Sequence, residues 1–341
     1  MTQQRIALLG FGNVGQALVR LLQRKKDLLL KDYELSYTIT GIATGRHGMA
    51  INPQGIDIDR ALHLISTVGN LDTLSLHLQT ADPIAFIHKC GADVLFENTP
   101  VSYADGQPAV SYLRTALEMG MHAITANKGP VVHAYRELTE LAKQHGCKFY
   151  FESAVMDGAP IFSLFRESLP AASLHGFSGI LNSTTNLILT RMEDGDSFEA
   201  SVAYAQSIGL AETDPSGDID GWDAAVKVAA LVTVLMGIPI KPSDVERTGI
   251  RHLTAEDILQ AHKQAKRWKL ICTANREANS VVARVSPELV STDSPLYGVN
   301  GTSSIITFEM DVLPQLSIME GNPEPETTAY GLLADFINVT R

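Results

Sequence analysis

Through the first 150 residues, short apolar runs alternate with stretches whose apolar positions recur every three or four residues. Arg5 to Leu9 is the first run, and Val14, Ala17, Leu18, Leu21 and Leu22 follow it at helical spacing. Further strands are expected at Tyr37–Ala43, within Asp93–Pro100, in the segment HAITANKGP from His122, and in CKFYFES from Cys147. Between them the spacing predicts helices over 103–119 and 133–145, stopped by Gly120 and Gly146. Strands alternating with helices predict a doubly wound, mostly parallel sheet, in which ligands bind beyond the carboxyl ends of the strands.

The second half is patterned differently. Gly158 and Pro160 mark a turn before a helix, a strand is expected around Gly176 to Leu181, and a helix carrying Leu187, Leu189 and Met192 follows. Gly209 stops another helix. Asp220 is placed to cap a helix beginning near Gly221 and Trp222, with Asp223 at its third position. That helix enters Val228–Ile240, a run too short to span a bilayer. The expected fold class is α/β: an N-terminal Rossmann-type doubly wound parallel sheet, followed by a second, α+β unit.

Composition narrows the function classes. The 341 residues are enough for two domains, and 45% hydrophobic with 19% charged residues is a globular balance. The net charge of −11, with no basic run longer than Arg24-Lys25-Lys26, argues against a nucleic-acid partner. Cys90, Cys147 and Cys272 are odd in number and widely spaced, fitting neither a metal site nor a disulfide framework. No leader pattern opens the chain, since Arg5 leads directly into a strand. A cytoplasmic protein without a membrane partner is the expectation.

Candidate chemistry gathers at strand ends. GFGNVG, from Gly10 through Phe11, Gly12, Asn13 and Val14 to Gly15, lies between the first strand and its helix. Gly10 permits a tight turn, Gly12 lets a pyrophosphate approach the backbone, and Gly15 lets helix pack on strand. The tip of the second strand carries Thr44, Gly45, Arg46 and His47 where a NAD site would place an acid; Arg46 suits a 2′-phosphate and so NADP. Asn98, Thr99, Pro100, Asn127 and Lys128 fall at later strand ends, as does the cluster Asn182, Ser183, Thr184, Thr185 and Asn186, whose hydroxyls could bind a polar ligand or cap a helix.

The segment AETDPSGDIDGWDAAVK, from Ala211, brings five carboxylates and one lysine to the edge of an apolar helix. Lys227 is the only charged residue from Ala224 to Met236. A buried lysine needs a partner, and Asp223 lies four residues earlier on the same face. Such a pair is candidate acid–base machinery for oxidising an alcohol, while Glu212, Asp214 and Asp218 could hold a cationic group.

These blocks, GFGNVG, TANKGP, ESAVMDGAPIF, GILNSTTN, SIGLAETDPSGDIDGWDAAVK and, more weakly, SPLYGVNGTSSIITF, resemble homoserine dehydrogenase over almost the whole chain. The resemblance implies interconversion of L-homoserine and L-aspartate 4-semialdehyde with NADP or NAD, in threonine, methionine and isoleucine biosynthesis. Asp223 and Lys227 match the catalytic pair, and Lys128 matches a second proton-transfer candidate. Glu212, Asp218 and Thr184 match substrate contacts; Gly12, Val14, Thr99 and Lys128 fall in cofactor-contacting segments. A monovalent cation, sodium in the family, is implied at Glu152, Val155, Asp157 and Ala159, held mostly by backbone oxygens. The implied domains are 1–135 for the cofactor, with 318–341 returning to it, and 136–317 for substrate and dimerisation. A homodimer or homotetramer of the short form, without an ACT domain, is expected. Ser183 stands where the family has glycine, Leu210 where it has an aromatic residue, and MEGNPEPETTAYG where it often has a glycine-rich segment.

Overall fold

The computed structural model describes residues 2–67, 69–76, 82–278 and 280–341. The chain divides into two compact units, one of residues up to Pro160 together with Glu324–Arg341, the other Ile161–Pro323.

The first unit holds strands β1 (Thr2–Leu9), β2 (Leu35–Ala43), β3 (Met49–Ile51), β4 (Val94–Glu97), β5 (His122–Thr125) and β6 (Phe149–Tyr150). They form one sheet in the order β3-β2-β1-β4-β5-β6, parallel throughout except for β3. The strand order reverses between β1 and β4, so a crevice opens at their carboxyl ends. Ile6, Leu8, Val94 and Phe96 face one layer, which includes Leu18 and Leu22 of the helix Asn13–Tyr33 and Leu332 and Phe336 of the helix Pro325–Val339. Phe96 and Phe336 meet edge to face, with ring centroids 5.8 Å apart. Ala7, Leu9 and Leu95 face the other layer, with Phe86, Ile87 and Ala116. Burial on both faces explains why these strands read as unbroken apolar runs.

One local expectation shifts. The helix expected over 103–119 begins only at Ala109, because Asp105 accepts from Gln107 N and Ser102 Oγ in a turn ahead of Pro108. The first unit runs to Pro160, with β6 adding to the sheet beside β5.

The second unit is built on β7 (Leu174–Ile180), β8 (Glu246–Arg247), β9 (Lys266–Glu277), β10 (Ser280–Ser291), β11 (Ser304–Met310) and β12 (Leu316–Glu320). Their order is β12-β11-β7-β9-β10-β8, antiparallel except for the short β10–β8 pair. Helices Ser183–Glu193, Trp222–Leu231 and Ala255–Lys263 accompany this sheet. In Trp222–Leu231 eight of ten residues are buried, and the helix continues as a wider turn over Val232–Met236 that Gly237 closes at φ 69°. Among the described residues no helix is long and apolar enough to cross a membrane.

Candidate active site

In the first unit the glycine turn and three strand ends converge. Gly10 has φ 98°, and a Cβ there would lie 2.4 Å from Asn98 O, so only glycine lets the β1 and β4 ends approach. A Cβ at Gly12 would meet nothing within 4 Å, which leaves open space at the start of the helix Asn13–Tyr33. No side chain caps that helix and its first turn carries no acid, so its N–H groups and positive dipole end are available to an anion. A cleft of about 470 Å³ adjoins this turn, lined by Leu9, Gly10, Ala43, Thr44, Thr99 and Tyr112 among others. Next to Gly10, both polar atoms of the Asn98 side chain are buried without a hydrogen-bond partner among the described residues. A free helix start, open space at Gly12 and an unsatisfied amide fit a dinucleotide.

Arg46 is exposed on the tight turn after β2, which Thr44 closes by donating to Gly48 O at 3.1 Å and accepting from His47 N at 2.7 Å. Lys128 is half-buried and opens the helix Lys128–His133, capped by Asn127. A cation at a helix N-terminus opposes the dipole, so helix stability does not explain it.

Glu152 and Val155 are buried in the loop after β6. Glu152 N donates to Asp335 Oδ2 at 2.7 Å, Ser153 Oγ donates to Thr328 O at 2.7 Å, and Thr328 Oγ1 donates to Asp157. The C-terminal helix thus clamps this loop, and Asp157 sits in the left-handed region at φ 43°. Ala159 N bonds Met156 O at 2.8 Å. Among the described residues no group of three or more His, Cys, Asp or Glu could hold a metal, so a cation here would depend on main-chain oxygens.

In the second unit the end of β7 carries the charged cluster. Asn182 caps the helix Ser183–Glu193: its Oδ1 accepts from Thr185 N and Thr185 Oγ1, each at 2.8 Å. The cap therefore comes from Asn182, not from Ser183 or Thr184. With Oδ1 committed, Nδ2 points to the acids, donating to Asp218 Oδ1 at 2.7 Å and Asp223 Oδ2 at 3.0 Å. Lys227 Nζ lies 3.3 Å from Asp223 Oδ2 and donates to Leu181 O at 2.6 Å. These side chains are only 15% and 12% exposed for Lys227 and Asp223. Thr184 donates to Asp218 as well; burial, then the neighbouring Asp223 charge, push the Asp218 carboxyl above its ordinary range.

One expectation fails here. Asp220 does not cap the next helix: Gly221 occupies that position at φ 81°, placing Asp223 second in the helix rather than third. Asp220 instead ends the short helix Ser216–Ile219 and pairs with Arg251 at 2.9 Å. The Glu212 carboxylate is exposed and has no hydrogen-bond partner among the described residues; only its backbone oxygen is engaged, by Gln206. The structure brings Asp218, Asp223, Lys227 and Thr184 together and leaves Glu212 aside. Asn182, joining both acids, stood in the polar cluster of the sequence without that role.

Comparison with known proteins agrees with both halves. A family model described as homoserine dehydrogenase matches residues 160–337, and one described as the NAD binding domain of homoserine dehydrogenase matches residues 10–152. The chain is 35% identical to an NAD(+)-dependent homoserine dehydrogenase of Pseudomonas canavaninivorans, over 99% of this chain and 97% of that one. It is also 35% identical to a homoserine dehydrogenase of Methanocaldococcus jannaschii, with 98% of each covered. The crystal structure of a homoserine dehydrogenase from Thiobacillus denitrificans superposes with a TM-score of 0.84 at 28% identity, covering all of this chain and 74% of that one.

Proposed function

The chain belongs to the homoserine dehydrogenase family, and on that premise we propose that it interconverts L-homoserine and L-aspartate 4-semialdehyde, with the charged cluster at the end of β7 handling the substrate. Oxidising the primary alcohol removes a hydride from carbon and a proton from oxygen. A nicotinamide, when bound, supplies the hydride-accepting chemistry. Asp218 and Asp223 outnumber Lys227 in a half-buried site, and this excess negative charge suits the ammonium of an amino acid. Thr184 orients Asp218 and Asn182 holds both carboxylates.

Lys227 is assigned the hydroxyl proton. Two of its three N–H directions are used by Leu181 O and Asp223, which leaves one for the reacting oxygen. In the reductive direction its ammonium donates that proton to the developing alkoxide. Lys128 is the second candidate for the proton. The observation that carries the reading is the Asp218–Asn182–Asp223–Lys227 chain of contacts. It is tested by following the nicotinamide absorbance with L-homoserine against L-serine and L-threonine. Turnover specific to L-homoserine is expected, and equal turnover of all three would contradict it.

The turn Gly10–Gly15 and Thr99 would hold the dinucleotide, with NADP preferred over NAD. The exposed Arg46 and the missing acid after β2 support that preference; the Pseudomonas relative is named for NAD(+). Arg46→Ala is expected to lower the NADP/NAD ratio of kcat/KM by about tenfold, as loss of a charge-assisted phosphate contact would. An unchanged ratio would remove Arg46 from this role. Sodium is proposed on main-chain oxygens of the Glu152–Ala159 loop, with Val155 and Asp157. The left-handed Asp157 and the clamp from the C-terminal helix support an ordered loop there. The second unit is proposed to bind substrate and to assemble the protein as a homodimer or homotetramer.

A further inference from the structure

Glu97, the last residue of β4, is fully buried, and no basic side chain pairs with it among the described residues. An isolated buried carboxyl is unfavourable unless hydrogen bonds satisfy it. Here they close a ring. Thr99 N donates to Glu97 Oε1 at 2.8 Å, and Thr99 Oγ1 donates to the same oxygen. Thr125 Oγ1 donates toward Glu97 Oε2 at 2.8 Å and Glu97 O at 2.9 Å. Thr125 Oγ1 accepts from Asn127 N at 2.9 Å, and Asn127 Nδ2 returns to Thr99 O at 3.2 Å. Asn127 Oδ1 then accepts from Gly129 N at 3.0 Å, fixing the turn that carries Lys128. Glu97 and Thr125 are also the last paired residues of β4 and β5. The ring therefore begins where the sheet's own ladder stops.

We propose that Glu97 is a positioning residue: its carboxyl locks the ends of β4 and β5 together, so that the Thr99 turn and the Lys128 helix start keep one fixed relation. This rests on the proposal above that these turns serve the cofactor and the proton. An apolar residue would leave the Thr99 N–H and hydroxyl without an acceptor in a dry site. Glutamine would not. Its carbonyl can replace Oε1, its amide can donate to Thr125 Oγ1, and the Thr125 proton can turn to Glu97 O.

The test compares Glu97→Gln, Glu97→Leu and Thr125→Val with the wild-type chain, at a temperature well below each Tm. Fluorescence titration with NADPH and NADH gives Kd, and steady-state turnover of L-homoserine gives kcat and KM. Glu97→Leu is expected to raise the cofactor Kd and lower kcat by about tenfold or more, since misplaced groups lose rate steeply. Thr125→Val should move both the same way by less, and Glu97→Gln should stay within about threefold of wild type. Wild-type Kd and kcat in folded Glu97→Leu would overturn the proposal; so would a Glu97→Gln as impaired as Glu97→Leu. If Glu97→Leu does not fold, an unchanged Thr125→Val overturns it instead. Failure of the wild-type chain to turn over L-homoserine would refute the substrate reading, while the cofactor Kd series still decides the role of Glu97.

Discussion

The second unit contains two sequestered lysines, and they differ in what their protons do. Lys269, in β9, is fully buried. Its Nζ donates to Val299 O at 2.7 Å and Asn186 Oδ1 at 3.2 Å, with Asn300 Oδ1 at 3.5 Å. Three N–H groups face three acceptors, and Glu193 supplies the countercharge while also lying 3.4 Å from Arg267. Burial lowers the Lys269 pKa to about 8. Lys227 is 15% exposed, with one N–H direction left uncommitted among the described residues and two carboxylates in its cluster. Burial and a lysine are therefore insufficient marks of chemistry. The informative feature is a partly reachable lysine whose hydrogen-bond capacity is unfilled.

The sharpest way to break this contrast is to remove Lys269. Lys269→Met takes one cation away from the buried Glu193, leaving Arg267 and His262 near it, and loss of one partner from a buried ionic group destabilises by about 3–5 kcal/mol. Denaturant unfolding should show that loss, while kcat of the folded fraction stays near wild type. A large fall in kcat without loss of stability would make Lys269 a functional residue.

A smaller effect is expected on the other side of the contrast. Asp218→Asn keeps the shape of the side chain but removes the excess negative charge. The KM for L-homoserine should rise by roughly 10–100-fold, as for a lost charged hydrogen bond, with less change in kcat. An unchanged KM would mean that Asp218 does not face the ammonium.

The smallest effect concerns pH. Lys269 titrates near 8 in the folded chain against an ordinary 10.5. Between those values the unfolded chain binds more protons, so stability contributed at this site rises with pH through that window and is lost as pH falls through 8. The stability difference between wild type and Lys269→Met should shift in that direction from pH 8 to 10.5. A flat difference would show that Lys269 is not depressed.

The same pair shows why some of the molecule was legible in sequence. Lys227 interrupts a helix apolar on nearly every side, and its partner Asp223 is one turn away, so local spacing exposes the pair. Lys269 shares one face of β9 with Arg267 and Ile271, and two cations in three positions read as a partly solvated strand face. It is buried because the segment around Val299 and Asn300 covers it, some 30 residues later. Asn182 reaches Asp223 across 41 residues, again beyond local spacing. The parallel sheet of the first unit was readable because burial on both faces leaves apolar runs, whereas the three-residue β3 carries too little pattern. Proximity in sequence misled at Asp220, where a left-handed glycine took the cap position.

The central claim is that Lys227 handles the hydroxyl proton. Steady-state oxidation of L-homoserine by wild type and Lys227→Met, with cofactor Kd and Tm measured on the same preparations, tests it most directly. General acid–base catalysis contributes about 10²–10⁴-fold, so kcat should fall by that factor with the cofactor Kd nearly unchanged and the variant still folded at the assay temperature. Near-wild-type kcat accompanied by early unfolding would contradict the claim and make Lys227, like Lys269, a structural partner of its carboxylate.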